Sequence, residues 1–493
     1  MPRPKPSTAC LYKRWTTENP DLFTDGNVLF CRICEKKVNA KRKFQVDQHM
    51  RSQLHVSEKA KKGSTSQPLL AHALSSHPEF DEFCFDLSEA FVAANIPWRN
   101  LDHPTLRRCL EKYTHRKLPA ESTLRKNYLP ILYEKVLDEI RASVAKGPMW
   151  AAADETTDVC GRYVAHLIVG RLGDDKSSRP YLVACRVLEK TNYSTLARFV
   201  NDSLKTLWPD GGGEDFRIFY TDAAAYMIKA ADSLKVFYPN LVHVTCLAHG
   251  INRVAEEVRN QYPLTNKMVS VVKKIFVKAP SRREIYRALM PDVPLPPEPV
   301  VTRWGTWLEA VNFYADHFDS LKDVVSRFNP EDSSAVREAQ TLFEDPLLAV
   351  EVQLIKTNFT FLARSIRKLE TGGLPLLESL DVVNQVGEEL AKITSPVGRH
   401  VSRKFEAVLQ KNPGYSTLKA VGNVMASAPN ATLLENVPAG LLPAYKCAPL
   451  TTCDVERSFS NYKNILSDRR HKFTEENIER YIVSNVFYNG FSP

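Results

Sequence analysis

Four residues near the N-terminus have the types and spacing of a metal clamp. Two residues separate Cys31 from Cys34, fourteen separate Cys34 from His49, and five separate His49 from His55. Two thiolates on one tight turn can grip a single ion, and two imidazoles can close the tetrahedron. This is the ligand order of a Cys2His2 zinc site. Leu29 and Phe30 read as a short strand, and Phe44 to Met50 as a helix. Phe44 is expected in the core of a mini-domain that needs Zn2+ to fold. The alternative is a chance pair of surface histidines. Lys41, Arg42, Lys43 and Arg51 surround the ligands and are candidate DNA contacts.

A second set is carboxylate. Asp154 stands in MWAAADETTD, a strand running into a polar turn, and Asp222 closes the strand FRIFYTD. Glu456 falls in the first turns of the helix APLTTCDVERSFSNYKNIL. Taken alone, an Asp at a strand end is usually a turn or helix cap. Grouped carboxylates offer oxygen-only ligation that suits Mg2+ or Mn2+. Two such ions about 4 Å apart can activate a water or a 3′-hydroxyl and stabilise a leaving oxygen.

The elements between these residues decide whether the acids meet. From Pro148 the pattern reads as three strands, a helix, a strand, a helix and a strand: βββαβαβ. That order is the ribonuclease-H-like one, in which the first and fourth strands are neighbours, so Asp154 and Asp222 would face each other. LVHVTCLAH is read as the fifth strand. From 262 to 445 the apolar spacing is helical throughout. The expected fold class is multidomain α/β plus α: a ribonuclease-H-like mixed-sheet core interrupted by a large all-helical insertion. A small N-terminal ββα zinc finger and a helical linker domain precede it. The boundaries expected are 1–62 for the basic arm with the finger, 63–78 for a linker, and 79–146 for a helical domain. The core begins at 147–262, the insertion covers 263–445, and 446–493 completes the core. Within 79–146, Asp102-His103-Pro104 reads as a helix start. Ser122 would cap a long helix that Pro130 bends or breaks.

Composition narrows the partners. Of 493 residues, 43% are hydrophobic and 25% charged, which excludes a collagenous or globally disordered chain. No run approaches the ~18 apolar residues of a membrane span. The first residues lack an apolar signal core, so the expectation is an intracellular protein without membrane partners. Its ten cysteines are then thiols or ligands rather than a disulfide framework. The net charge of +9 is uneven: residues 1–62 hold 14 Lys and Arg against 6 Asp and Glu, leaving 52 against 51 elsewhere. A concentrated basic excess points to a polyanion, nucleic acid first.

Five motifs over residues 150–488 resemble the hAT-superfamily transposases. DETTD at 154–158 resembles the motif of the first catalytic aspartate, and YTDAAAYMIKAA that of the second. CLAH (Cys246 to His249), TRW (302–304) and DVERSFSNYKNILSDRRHKFTEENIERYI complete the order. Residues 28–135 also resemble the CGG triplet-repeat-binding proteins, through FCRIC, the histidine pair, AANIPWRNLDHPTLRRCL and LRKNYLP. The resemblance implies a cut-and-paste transposase or a nuclear protein derived from one. Asp154, Asp222 and Glu456 would bind two Mg2+ or Mn2+ ions. Trp304 would stack on a flipped base, with a core tryptophan as the alternative. Cys246, His249 and Arg457 would contact transposon-end DNA, together with local patches such as Arg469-Arg470. The C-terminal segment would form a homodimer or higher oligomer, and double-stranded DNA would be the partner. One departure stands out: Ala223 and Tyr226 occupy places where the family commonly has asparagine. The other outcome is a domesticated nuclear DNA-binding protein or transcription regulator without catalysis.

Overall fold

The computed structural model describes residues 8–24, 28–34, 36–38, 40, 42–63, 81–144, 147–173, 179–209, 211, 215–300, 303–428, 437–466 and 473–491. Lys41, Thr302, Arg469, Arg470 and the expected linker after Gly63 lie outside them. The chain divides into two compact units, Met1–Glu82 and Phe83–Pro493, and each is described by itself.

The first unit carries more than ββα. Helix α1 (Thr8–Glu18) precedes an antiparallel sheet of β1 (Leu22–Thr24), β2 (Leu29–Cys31) and β3 (Lys36–Lys37), followed by α2 (Lys43–Met50) and α3 (Gln53–Gly63). Among the described residues the buried hydrophobic ones are Trp15, Leu22, Leu29, Val38, Ala40 and Val46 with Cys31 and Cys34, and His55 is buried beside them. Phe44 is not among them: it is 60% exposed while Val46 is 1% exposed. Two residues on a helix are about 200° apart around the axis, so burying Val46 turns Phe44 outward. His49 and His55 sit on two helices, because the chain turns at Arg51 and Ser52.

The second unit begins with helices. Among them are α4 (Glu82–Ala93), α5 (Pro104–Thr114) and α6 (Leu129–Val144). His103, not Asp102, is the residue before α5, and it makes no side-chain cap. Ser122 lies inside a short turn, Glu121–Thr123, and a π-helical stretch, Leu124–Tyr128, leads directly into α6. Pro130 is the second residue of α6, where the amide it lacks would have had no partner within that helix.

The sheet is mixed. Strands β4 (Met149–Thr157), β5 (Tyr163–Arg171) and β6 (Tyr181–Leu188) form an antiparallel meander. Helix α7 (Tyr193–Leu207) leads to β7 (Phe216–Thr221), and α8 (Ala225–Leu234) leads to β8 (Val242–Thr245). The order is β6-β5-β4-β7-β8, with β7 parallel to β4. Strands β4 and β5 are buried along nearly their whole length, as expected where elements pack on both faces. At Gly170 a Cβ would come within 2.5 Å of the Trp150 ring, so only glycine admits that indole across the ladder.

Strand β8 ends at Thr245 rather than running through CLAH. Cys246 is the cap residue and α9 (Leu247–Gln261) starts immediately. Helices then follow: α10 (Pro263–Phe276), α11 (Pro280–Leu289), α12 (Thr306–Asp316), α13 (Phe318–Ser326) and α14 (Ser334–Glu344). After them come α15 (Pro346–Leu369), α16 (Leu376–Lys392), α17 (Pro396–Gln410) and α18 (Pro413–Met425). The Asn412 amide accepts from Thr245 N at 3.1 Å and donates to Thr245 O at 2.7 Å, fastening the start of α18 to β8. Helix α19 (Cys453–Ile465) returns to β4 and β5, and α20 (Glu475–Asn489) packs on β6 and α6. Tyr481, Ile482 and Val486 of α20 are buried in its own chain. No described helix is long and apolar enough to cross a membrane.

Candidate metal centres

In the first unit, one ligand atom from each of Cys31, Cys34, His49 and His55 lies within 4.8 Å of the others. The β2 strand end and the turn after it place the thiols, with Cys34 N donating to Cys31 Sγ at 3.4 Å. The Cys31 and Cys34 sulfurs lie 3.4 and 3.3 Å from His55 Nδ1. The other side of that ring, Nε2, faces Asp21 Oδ2 at 3.5 Å. A carboxylate behind an imidazole is the usual outer support of a metal-bound histidine. His49 Nε2 is buried without a hydrogen-bond partner, and burial pushes the His49 pKa down, keeping its nitrogens free of a second proton. The residues fit a tetrahedral soft-ligand ion such as Zn2+.

The surrounding cations are only partly free. Lys43 pairs with Glu18 at 2.6 Å and Lys59 with Asp21 at 2.6 Å. The Gln45 side chain accepts from Arg42 N at 3.0 Å as Arg42 starts α2, and Arg51 ends it, exposed.

In the second unit the sheet register brings two acids level. The last parallel pair of β4 and β7 is Ala152 with Tyr220. Asp154 and Asp222 are each two residues further on, and so on the same face of the sheet. The tight group, however, is Asp154, His249 and Glu456, with one ligand atom from each within 4.8 Å of the others. Asp222 lies outside this set. Its Oδ1 accepts from Ala224 N at 2.9 Å and shapes the turn into α8. His249 takes the place beside the acids because α9 starts directly after Cys246 and carries position 249 around its first turn. Its Nε2 is 3.8 Å from Glu456 Oε1.

Charges here are held by one another. Burial, then the Glu456 carboxylate, pushes the Asp154 pKa well above the carboxylate range. Burial also raises Glu456, although His249 opposes it. Burial alone would lower His249, but Cys246, Asp154 and Glu456 together push it up to about 9. Cys246 is buried, yet His249 draws its pKa below the usual thiol value, and its Sγ accepts from Thr452 N at 3.2 Å. Cys246 is thus a packed sulfur near the His249 ring, 2% exposed and with almost no surface to offer a nucleic acid.

Trp304 lies in the turn before α12, with its ring 4.4 Å from that of His249, and is only partly buried. The buried indole is that of Trp307. Arg457 donates to Asp454 at 2.7 Å and to Glu370 O at 2.5 Å, so its guanidinium is engaged within the chain. Two neighbours escaped the sequence reading. Burial and the Asp222 charge push Glu155 up to about 7, and Glu155 accepts from the Tyr226 hydroxyl. The departure at position 226 marked that contact without revealing its partner. Asp21 had no such mark, because only the fold sets it behind His55.

Comparison with known proteins addresses the first quarter of the chain. Residues 5–61 match the CGGBP1 N-terminal domain and residues 75–131 the CGGBP1 helical domain. CGG triplet repeat-binding protein 1 of Mus musculus is 30% identical over 131 residues, spanning 24% of this chain and 78% of the relative. The Homo sapiens protein of that name matches to the same extent. The chain belongs to the CGG triplet repeat-binding protein 1 family. Both ligand pairs of the Cys2His2 cluster fall inside the match to the family's N-terminal domain, and α4 to the start of α6 fall inside its helical domain. The strands from β4 onward lie beyond both matched regions.

Proposed function

We propose that this chain is a nuclear DNA-binding protein whose N-terminal unit is a zinc finger of the CGG triplet repeat-binding type. The observation carrying this reading is the Cys31–Cys34–His49–His55 cluster inside the matched N-terminal domain. A Zn2+ ion there would lock two thiolates and two imidazoles, and with them the fold that presents Arg42 and Arg51. Duplex DNA follows from the basic excess of residues 1–62 and from the repeat DNA in the relatives' name. The test uses the full chain with a CGG-repeat duplex and a scrambled duplex. The expected result is preferential retention of the CGG duplex and a loss of binding of at least ten-fold in Cys31→Ser. Equal binding of both duplexes by wild type and Cys31→Ser overturns the finger reading.

The second reading is the hAT-like one, in which the ribonuclease-H-like order places Asp154 and Glu456 to hold Mg2+ or Mn2+ for phosphodiester cleavage and strand transfer. The grouping of Asp154, His249 and Glu456 favours it. A divalent ion bound there would act as a Lewis acid on a phosphodiester. Asp222 would reach the ion after releasing the Ala224 amide, and His249 would stand beside the two acids as a further nitrogen ligand or hydrogen-bond partner. Cleavage of end DNA with Mn2+, abolished in Asp154→Ala and Glu456→Ala, supports this reading. Intact binding without cleavage leaves the chain a regulator. Self-association, in this reading, uses the face of α20 opposite Tyr481 and Ile482.

A further inference from the structure

We infer that the core carries its own track for the phosphates of a single DNA strand, formed by a basic cavity that meets the cavity of the acid group at Arg303. The inference rests on the DNA-binding reading above and adds a second contact surface to it.

The first cavity, about 400 Å3, is mixed in charge: Arg303, Arg367, Arg457 and Lys463 face Glu309, Glu370 and Glu456, with Arg367 paired to Glu309 and Arg457 to Asp454. The second, about 270 Å3, lies between α9, α10 and the residues before α12. Its lining holds Arg259, Lys273, Lys274 and Arg303 against a single carboxylate, Glu256. Arg303 and Thr306 line both cavities. Such a concentration is notable where residues 63–493 carry 52 cations against 51 acids.

Three of the four cations of the second cavity are not spent on internal ion pairs among the described residues. Among the described residues, Arg259, Lys274 and Arg303 make no salt bridge. Arg259 donates to the neutral Asn266 Oδ1 at 2.6 Å, and Lys273 pairs with Glu298. The segment carrying Arg303 is built rather than loose. Gly305 takes a φ of 72° and donates its amide to Asn252 Oδ1 at 3.0 Å. The Thr306 hydroxyl lies 3.0 Å from Val300 O and 2.9 Å from Arg303 O, closing the turn on itself. Arg259, Lys274 and Arg303, without a carboxylate partner among the described residues, suit a polyanion that supplies the missing charge.

The dimensions select a strand over a duplex. The second cavity, about 270 Å3, is an open cleft of side-chain dimensions, too small to seat a duplex whose major groove alone is about 12 Å wide. A single backbone can thread between α9 and α10, with the cations on its phosphates and Asn266 and Ser270 as neutral donors. Tracking of that kind is how basic grooves hold single strands without reading sequence. The track leads away from the acid group, so a strand lying in it would extend from whatever nucleotide sits beside Glu456.

The experiment uses the full chain in EDTA, where no cleavage intervenes. An oligothymidylate carrying 5-iodouracil is photocrosslinked and the adducts are mapped by mass spectrometry. Crosslinks are expected in 252–274 and 299–308. Arg259→Glu with Lys274→Glu should remove them and weaken oligonucleotide binding at least ten-fold, with unchanged melting of the second unit. Lys274→Gln alone, a milder change, should lower the salt slope by about 0.7. A Lys322→Glu control, exposed on α13, should bind as wild type. Crosslinks confined to residues 8–63 overturn the track while leaving the finger reading standing. Competition by thymidine monophosphate as effective as by the oligonucleotide overturns it in favour of a small-ligand pocket. Absence of any DNA binding overturns both.

Discussion

The two ligand groups of this chain are assembled in opposite ways. In the first unit, the hydrophobic core among the described residues has eight members, and two of them are Cys31 and Cys34. A core of that size is small for a chain without a staple, so an ion held by the four side chains would organise the fold. In the second unit a five-stranded sheet packed by helices presses Asp154, His249 and Glu456 together regardless of what lies between them. There the fold imposes the ligands, at the expense of burying like charges. The difference teaches that a spacing motif reports a site that makes its own structure, whereas a site held in a large core is visible only through the fold.

The largest effect should separate the units. Chelation, or Cys31→Ser, removes the binding free energy of a structural zinc, of order 10 kcal/mol. Amide exchange across residues 8–63 should become unprotected while the melting of the second unit stays unchanged. Protection surviving in the first unit would break the comparison.

Next, the second unit should answer to protons instead. Burial pushes His243 down to about 4 and His166 to about 3, so both are neutral in the folded chain. The unfolded chain takes up protons at these rings below pH ~6.5. Their stability contribution is therefore complete above that pH and is lost as the pH falls towards 4. For His243 the loss is about 3 kcal/mol at ~1.4 kcal/mol per pH unit. Calorimetry of His243→Asn between pH 6.5 and 4 should show a flatter curve; parallel curves would refute the assignment.

A smaller effect tests whether the acid group is imposed. Asp154 is 8% exposed and its carboxyl sits beside that of Glu456. Asp154→Asn should stabilise the second unit by about 1–2 kcal/mol in EDTA, because the cost of burying an ionisable carboxyl beside Glu456 disappears. It should also abolish any stabilisation by Mn2+. A variant less stable than wild type in EDTA would show that the acids support the fold.

The smallest effect concerns the finger surface. Phe44→Ser, at a side chain 60% exposed, should shift zinc-loaded stability by less than about 0.5 kcal/mol. A loss above 2 kcal/mol, by thermal melting, would restore Phe44 to the core.

What the sequence made legible follows the same divide. Cys31, Cys34, His49 and His55 are near one another along the chain, so their spacing alone announced them. The βββαβαβ order was readable because β4, β5 and β6 are long apolar runs, and it placed Asp154 level with Asp222. It did not place His249 against Glu456, because that contact spans more than two hundred residues of helical chain. Nor did it turn Phe44 outward, since one short helix carries too few apolar positions to fix its own face. CLAH looked like strand because Leu247 and Ala248 continue an apolar run that the backbone ends at Thr245.

The fastening of Asn412 to β8 reaches beyond holding the helices in place. β8 is the outermost strand of the sheet, and an outermost strand offers unpaired amides and carbonyls to any passing chain. The Asn412 side chain makes both hydrogen bonds at Thr245 that a sixth strand would have made. Gly414 then brings α18 so near that a Cβ there would stand 2.0 Å from His243 O. The rim is sealed by one amide and one missing methyl group. A bulkier residue at either position would open the sheet to strand addition and turn a soluble edge into a seed for aggregation.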